Sequence, residues 1–388
     1  MKKTILYSLF LALITLFFLS CKSDTTIDKV LLSYEVLERI QIPLDSSVST
    51  RTIKTQLIET DSTRILAVMP SNTMSIDFYD LKNGEKFHSI KFSTDGRHRV
   101  NRLNGFEYLN VDTVFVVNYP PAIMIFDFEG NKINQVKIEG EDQYVQSIMS
   151  TNSLPLFITQ GKILGAYPFI TRFWETPSKQ VSDFKHIYEI DKKNDLSLAW
   201  KEFYLPNGFW DKGKVSPSFS WALKGDSILT LFNEDPRIQI FSISQNRVLD
   251  LVELQAPERF EFVRYFKRPD GNKGVLNELD KGVFRNIIYD AYRKVYYVFY
   301  DLPANPEKYV IPIYELHVVR PDFKIFVLDE KFNYLGESKF IDFEGDSYGA
   351  FVGKAGLYLP VNGEYNEYYT EDFLLFDVLH FNLTASNE

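Results

Sequence analysis

Ser75-Ile76-Asp77-Phe78-Tyr79-Asp80-Leu81, running into Asn83-Gly84 and then Phe87 to Phe92, is one copy of a phrase that recurs along the chain. An apolar strand carries an aromatic and an acidic residue, a turn follows, and a second strand returns. The phrase comes back at Ile123 to Phe128 with Gly130-Asn131 and Ile133 to Ile138, and at His186 to Ile190 with Leu196 to Phe203. It comes back again at Ile238 to Ile243 with Val248 to Leu254, and at Lys324 to Asp329 with Tyr334 to Phe340. Phe373 to Val378 closes the series. Asn-Gly and neighbouring Asp or Asn residues supply the positive φ that tight hairpins demand. Anchored on Phe78, Phe126, Tyr188, Phe241, Phe326 and Phe376, the units lie 48, 62, 53, 85 and 50 residues apart. Those spacings have the order of magnitude of a propeller-blade repeat.

A further strand precedes each unit: Ile65 to Met69, Thr113 to Asn118, Lys162 to Ala166, Ser227 to Phe232, Val295 to Tyr300 and Gly356 to Pro360. Six units of three or four antiparallel strands predict an all-β chain, a six-bladed β-propeller over residues 33–388. Tyr34 to Pro43 stands ahead of the first unit and is placed to complete the last blade as its missing outer strand. The competing architecture is a pair of β-sandwiches whose hairpins are alike by accident. Composition leans the same way as the repeat. Phe 33, Tyr 23 and Trp 4 bring aromatics to 15% of 388 residues, and such rings suit pleated, half-buried surfaces.

The N-terminus carries an address. Met1-Lys2-Lys3 is a short positive start, and Ile5 to Leu19 is an apolar run broken only by Ser8 and Thr15. It is short of the roughly 20 residues a membrane-spanning helix needs and suits a signal segment. The run ends Leu19-Ser20-Cys21, and Cys21 is the one cysteine of the chain. This resembles a bacterial lipoprotein signal, in which a small residue precedes a cysteine that is acylated and becomes the first residue of the mature protein. The reading assigns residues 1–20 to a signal peptide and 21–32 to the lipidated Cys21 and a short tether. It makes the lipid bilayer a partner through Cys21 and puts the protein at the outer membrane of a bacterial cell envelope, facing the periplasm or the surface. The alternative is an uncleaved anchor with Cys21 a chance residue. A lone cysteine excludes an intramolecular disulfide.

The lipobox, the six units and the stretch Phe284-Arg285-Asn286-Ile287-Ile288-Tyr289-Asp290-Ala291-Tyr292-Arg293-Lys294-Val295-Tyr296-Tyr297 together resemble a Bacteroidota family of six-bladed propeller lipoproteins of unknown function. That resemblance implies a fold and a location, and no reaction.

Catalytic signatures are sparse. The net charge of −9, without a long basic run, disfavours nucleic acid as a partner. His88, His98, His186, His317 and His380 form no HxH, HExxH or HxxxH cluster, so neither a metal site nor a cofactor is expected. His88 reads as a half-exposed strand residue. No Gly-x-Ser-x-Gly elbow, Walker loop or dinucleotide fingerprint occurs. Asp77, Asp127, Asp329 and Asp377 follow the repeat and read as turn or strand-surface residues, although carboxylates converging at the axis would suit a metal-assisted hydrolase or lyase of the lactonase kind. The tryptophans Trp174, Trp200, Trp210 and Trp221 lie within or at the end of a Pro- and Gly-punctuated segment. Trp174 and Trp210 are the candidate ligand-binding pair, a stacking platform for a glycan or peptide, unless the rings fill gaps between blades. Arg264 to Asn277 is expected to protrude as a loop. The leading reading is a non-enzymatic binding or scaffold module working through the loop face of the propeller. Its partner would be an envelope protein, a glycan or a peptide.

Overall fold

The fold is that of a computed structural model, which describes residues 27–383 other than 97, 141, 142, 171 and 362. The expected signal peptide, Cys21 and residues 22–26 of the expected tether therefore lie outside the described residues.

The strand that opens each repeated phrase becomes the third strand of a four-stranded antiparallel sheet. Blade 1 holds Thr52–Glu59, Arg64–Pro70, Ser75–Asp80 and Lys86–Lys91, and blade 2 holds Leu103–Asn110, Thr113–Asn118, Ala122–Phe126 and Lys132–Lys137. Blade 3 is Phe157–Thr159, Lys162–Ala166, Ile187–Asp191 and Ser197–Trp200, and blade 4 is Phe219–Lys224, Ser227–Phe232, Arg237–Ser242 and Arg247–Glu253. Blade 5 is Val283–Asp290, Val295–Asp301, Phe323–Asp329 and Tyr334–Phe340. Blade 6 combines Phe351–Val352, Leu357–Pro360 and Phe373–Phe381 with the N-terminal strand Tyr34–Pro43. The anchors Phe78, Phe126, Tyr188, Phe241, Phe326 and Phe376 are all buried in third strands.

Burial explains why the middle strands read as unbroken apolar runs. In Thr113–Asn118, Val114 and Val116 pack towards blade 1, while Phe115 and Val117 pack towards blade 3. Each blade is thus covered on both faces, and six apolar clusters each straddle one pair of successive blades. The cluster of Ile40, Ile42, Leu374 and Phe376 with Leu66, Val68 and Tyr79 joins blade 6 to blade 1. That contact closes the ring and excludes the paired sandwiches.

Closure rests on Tyr34–Pro43, which pairs antiparallel with Phe373–Phe381, from Tyr34 opposite Phe381 to Pro43 opposite Phe373. Arg39 clamps the pairing with two hydrogen bonds to the Asp377 carboxylate, Nε at 2.6 Å and Nη2 at 2.9 Å, and lies over the Tyr368 ring. Just ahead of this strand, Leu31 bridges in parallel to Glu337 on the outer strand of blade 5, and Ser338 Oγ donates to Leu32 O at 2.6 Å. Gly336, at φ +152°, lets this strap approach, since a Cβ there would fall 2.6 Å from Leu32 Cγ. Residues 30–32, read from sequence as tether, are therefore fastened to blade 5.

The first strands of blades 1 and 2, 4 and 5, 5 and 6, and 6 and 1 touch one another and so line the axis. There Lys54 of blade 1 is buried against Glu107 of blade 2, with its Nζ also donating to Ser150 Oγ at 2.9 Å. Ser150 bridges to Gly105 and Asn152 hydrogen-bonds the Thr55 backbone, so the connection after blade 2 is stitched into the inner wall.

Candidate functional site

In a four-stranded antiparallel meander, the first and third turns share one end and the second turn shares the other end with the link to the next blade. Here the first end carries only the short segments 60–63, 81–85, 111–112, 127–131, 160–161, 192–196, 225–226, 243–246, 291–294, 330–333 and 353–356. The other end carries every connection longer than five residues, among them 138–156, 167–186, 201–218, 254–282 and 302–322. We call it the loop face.

Over blades 4 to 6 the loop face is built around buried charge. The inner strand of blade 5 has a bulge at Arg285, between Phe284 and Asn286. The Arg285 side chain is buried, with Nε donating to Asp301 Oδ2 at 2.6 Å and Nη2 to His317 O at 3.1 Å. Tyr348 lies against the guanidinium, and Ser347 Oγ donates to the other Asp301 oxygen at 2.8 Å. Arg320 donates to the backbone carbonyls of Glu278, Lys281 and Leu302. It thereby ties the helices Gly271–Leu279 and Ile313–Val318 to the rim. Burial, with the nearby Arg285, draws Arg320 down to about 10.

Beside this knot stand two carboxyls in opposed states. Glu278 receives His317 Nε2 at 2.7 Å and the Tyr265 hydroxyl. Burial alone would raise it, but these partners hold it below the usual carboxylate range. Glu234, in the short turn 233–236 of blade 4, is pushed up to about 8 by burial and then by the charge of Glu278. Its Oε2 has no hydrogen-bond partner among the described residues, and neither side-chain atom of the fully buried Asn286 has one. The arrangement offers a carboxylic acid, a carboxylate and a cationic wall on one rim. Among the described residues, no three His, Cys, Asp or Glu side chains gather in a group that could hold a metal ion.

The tryptophan platform read from sequence is not formed. Trp210 is 2% exposed, packed among Phe209, Phe219 and Phe232, with Nε1 donating to Val215 O at 3.0 Å. The connection 201–218 folds back between blades 3 and 4, so its rings fill the interblade gap. Trp221 is buried in the same cluster. Trp174 and Trp200 are half-buried, the Trp174 backbone carbonyl held by Lys214 Nζ at 3.0 Å. His88 is half-buried on its strand and stacks on Phe128. Asp127 and Asp329 are turn residues, each taking the backbone N–H and side-chain amide of an Asn four positions on. Asp77 and Asp377 differ: both are buried, because blade surfaces here face other blades. The stretch Arg264 to Asn277, expected to protrude as a loop, instead enters the helix Gly271–Leu279, which ends by burying Leu279 against the rim.

Glu234, Glu278, Arg285, Asp301 and His317 escaped sequence reasoning. They come from separate connections and strand ends, and no local spacing marks them.

The chain matches the model of a domain of unknown function, DUF4221, over residues 31–339. No curated protein matches. Among solved structures, a DUF4221 member from Bacteroides vulgatus superposes with a TM-score of 0.76 at 16% identity, covering 92% of this chain and 99% of its own. A Bacteroides fragilis protein described provisionally as exported gives 0.49 at 11% identity, covering 93% and 98%. Hydrazine synthase from Kuenenia stuttgartiensis gives 0.46 at 11%, covering 83% and 76%. At 16% identity the likeness to the Bacteroides vulgatus structure is one of fold.

Proposed function

The chain belongs to the DUF4221 family, and on that premise we propose that it is a binding or scaffold module of the bacterial cell envelope, anchored at the outer membrane by acylated Cys21 and engaging its partner through the loop face. The supporting observation is the one-sided ring: rigid blades place every long connection at one end, the arrangement in which loops carry recognition. Exposed apolar residues stand on that face at Phe266, Val310, Tyr314 and Val318. Photo-crosslinking groups placed at Phe266 or Tyr314 should capture a partner in intact envelopes, whereas groups at Val111 or Tyr292, on the opposite end, should not. Equal capture from both ends, or none from the loop face, would remove the reading.

One observation favours a second reading, a hydrolase or lyase. Glu234 and Glu278, driven apart in proton affinity within one cluster, could pair an acid with a base. Turnover of a lactone that survives in the Glu234→Gln, Glu278→Gln double variant would dismiss it.

A further inference from the structure

Two connections of the loop face are joined edge to edge. Lys214 in 201–218 and Tyr265 in 254–282 exchange backbone hydrogen bonds, each N–H donating to the other's carbonyl at 2.8 Å. Gly213, at φ +105°, permits the approach, since a Cβ there would fall 2.9 Å from Arg264 Cβ and 3.1 Å from Phe266 Cζ. Tyr265 is buried with its hydroxyl held by Glu278, and Lys214 Nζ donates to Trp174 O at 3.0 Å. The joined strip is thus fixed before anything binds it, which keeps the ordering cost of a complex low.

On that strip Phe266 is 83% exposed, its ring edge against Gly213. The segments 211–214 and 264–273, every residue of which is described, hold six cations, Lys212, Lys214, Arg264, Lys267, Arg268 and Lys273, and two carboxylates, Asp211 and Asp270. Among the described residues no carboxylate pairs with Lys212, Lys267, Arg268 or Lys273. Nearby, Glu261 is taken by Lys281 and Glu278 by His317, and Arg172 and Glu175 pair with each other. This local excess of cations runs against a chain whose net charge is −9. The apolar surface continues past the strip. Leu276 is exposed on the helix Gly271–Leu279, which packs through Val275 and Leu279 on Ile313 and Leu316 of the next helix, and that helix carries the exposed Tyr314 and Val318.

We propose that this strip is the contact for a distinct acidic protein, which seats the Phe266 ring in an apolar socket and turns carboxylates towards Lys212, Lys267 and Arg268. A protruding ring among unpaired cations has the composition of an interface anchor with a charged rim, and opposite charge across such a rim steers the encounter. An anionic bilayer fits less well. It presents one sign of charge throughout, whereas Asp211 and Asp270 stand among the cations and only a protein surface can match both signs. The proposal rests on the binding reading above and names the chemistry of the partner for it.

The test uses the full-length protein in intact envelopes with a photo-crosslinking group at Tyr314, outside the strip. The Lys267→Glu, Arg268→Glu double variant should lower the yield of the adduct by about tenfold, and Phe266→Ala by a similar factor. Lys267→Arg and Phe266→Leu should keep it. Melting temperatures should be unchanged in all four, because the altered side chains are exposed. In washed membranes, capture should weaken as salt rises. The partner peptide captured from a group at Phe266 itself should hold more Asp and Glu than Lys and Arg. The proposal is overturned if the charge-reversed variant keeps full capture, if the captured peptide is basic, or if the adduct is a lipid, a saccharide or a second copy of this chain. Capture at Tyr314 that ignores these variants removes the strip alone and leaves the loop-face reading in place. No capture from either position in the parent removes both.

Discussion

Glu234 keeps its proton near neutrality because burial and the charge of Glu278 both oppose its ionisation, with Arg264 and Arg285 only partly offsetting them. In the unfolded chain the same carboxyl titrates near its ordinary 4.5, and in the folded protein at about 8. Between those values unfolding releases a proton, so stability falls as pH rises through that window and levels off above it. Glu234→Gln should remove this slope, gaining on the order of 2 kcal/mol or more over the parent by about pH 9 and little at about pH 4. Urea unfolding at stepped pH measures it, and a gain independent of pH would contradict the assignment. His186 behaves in the opposite sense. Burial draws it down to about 4, so the stability tied to its neutral form is present above its unfolded value and is lost as pH falls towards 4. At the same scale, Trp210→Ala should cost about 3–5 kcal/mol, as buried ring deletions do, while Trp174→Ala should cost far less. Denaturant midpoints of the two variants separate a core ring from a surface ring.

The outer strand of blade 6 is the element on which closure turns. Without residues 27–43, Leu374, Phe376 and Val378 lose Ile40 and Ile42 as cover, and the Asp377 carboxylate loses Arg39. The truncated chain should melt at a much lower temperature, and a synthetic peptide of Tyr34 to Pro43 added in trans should raise it again. Failure of the peptide to do so would show that the strap on blade 5, and not the strand, holds the ring. Arg39→Ala alone should cost roughly 1–2 kcal/mol in the same assay. Elements also differ in how openly the sequence shows them. Second and third strands, such as Ser227–Phe232, have both faces buried and read as apolar runs. Outer strands are legible through their Asn and Gly turns. The inner strands are not legible, because Lys54, Gln56, Glu107 and Asn286 interrupt their apolar pattern with groups that pair between adjacent blades or lie buried. The polar rim is hidden in the sequence for a related reason: Glu234, Glu278 and His317 meet only once three separate connections have folded together, whereas the tryptophans stand out through composition alone.

For the molecule as a whole, the lipobox makes a separate prediction from the ring. Cys21→Ala should move the protein out of the membrane fraction or leave its precursor unprocessed, with the propeller still folded by circular dichroism. Unchanged fractionation and gel mobility would end the lipoprotein assignment. The ring itself has no independent half, since each apolar cluster needs blades from both sides.

The pairing of Tyr34 with Phe381 also sets a clock. The first strand of the domain leaves the ribosome ahead of blade 1, and its partner leaves only after the other five blades. Throughout that interval Ile40 and Ile42 have no native neighbour from blade 6, and the facing side of blade 1 is bare. Long waits with uncovered strand edges are the circumstances in which nascent chains associate wrongly. A nascent chain stalled after blade 5 would carry five-sixths of the architecture and still present two open apolar faces. The interval before the C-terminal strand arrives is when this protein most needs a holding chaperone, and that need should vanish in a circular permutant that begins at Thr52 and joins Phe381 to Tyr34 by a short hairpin.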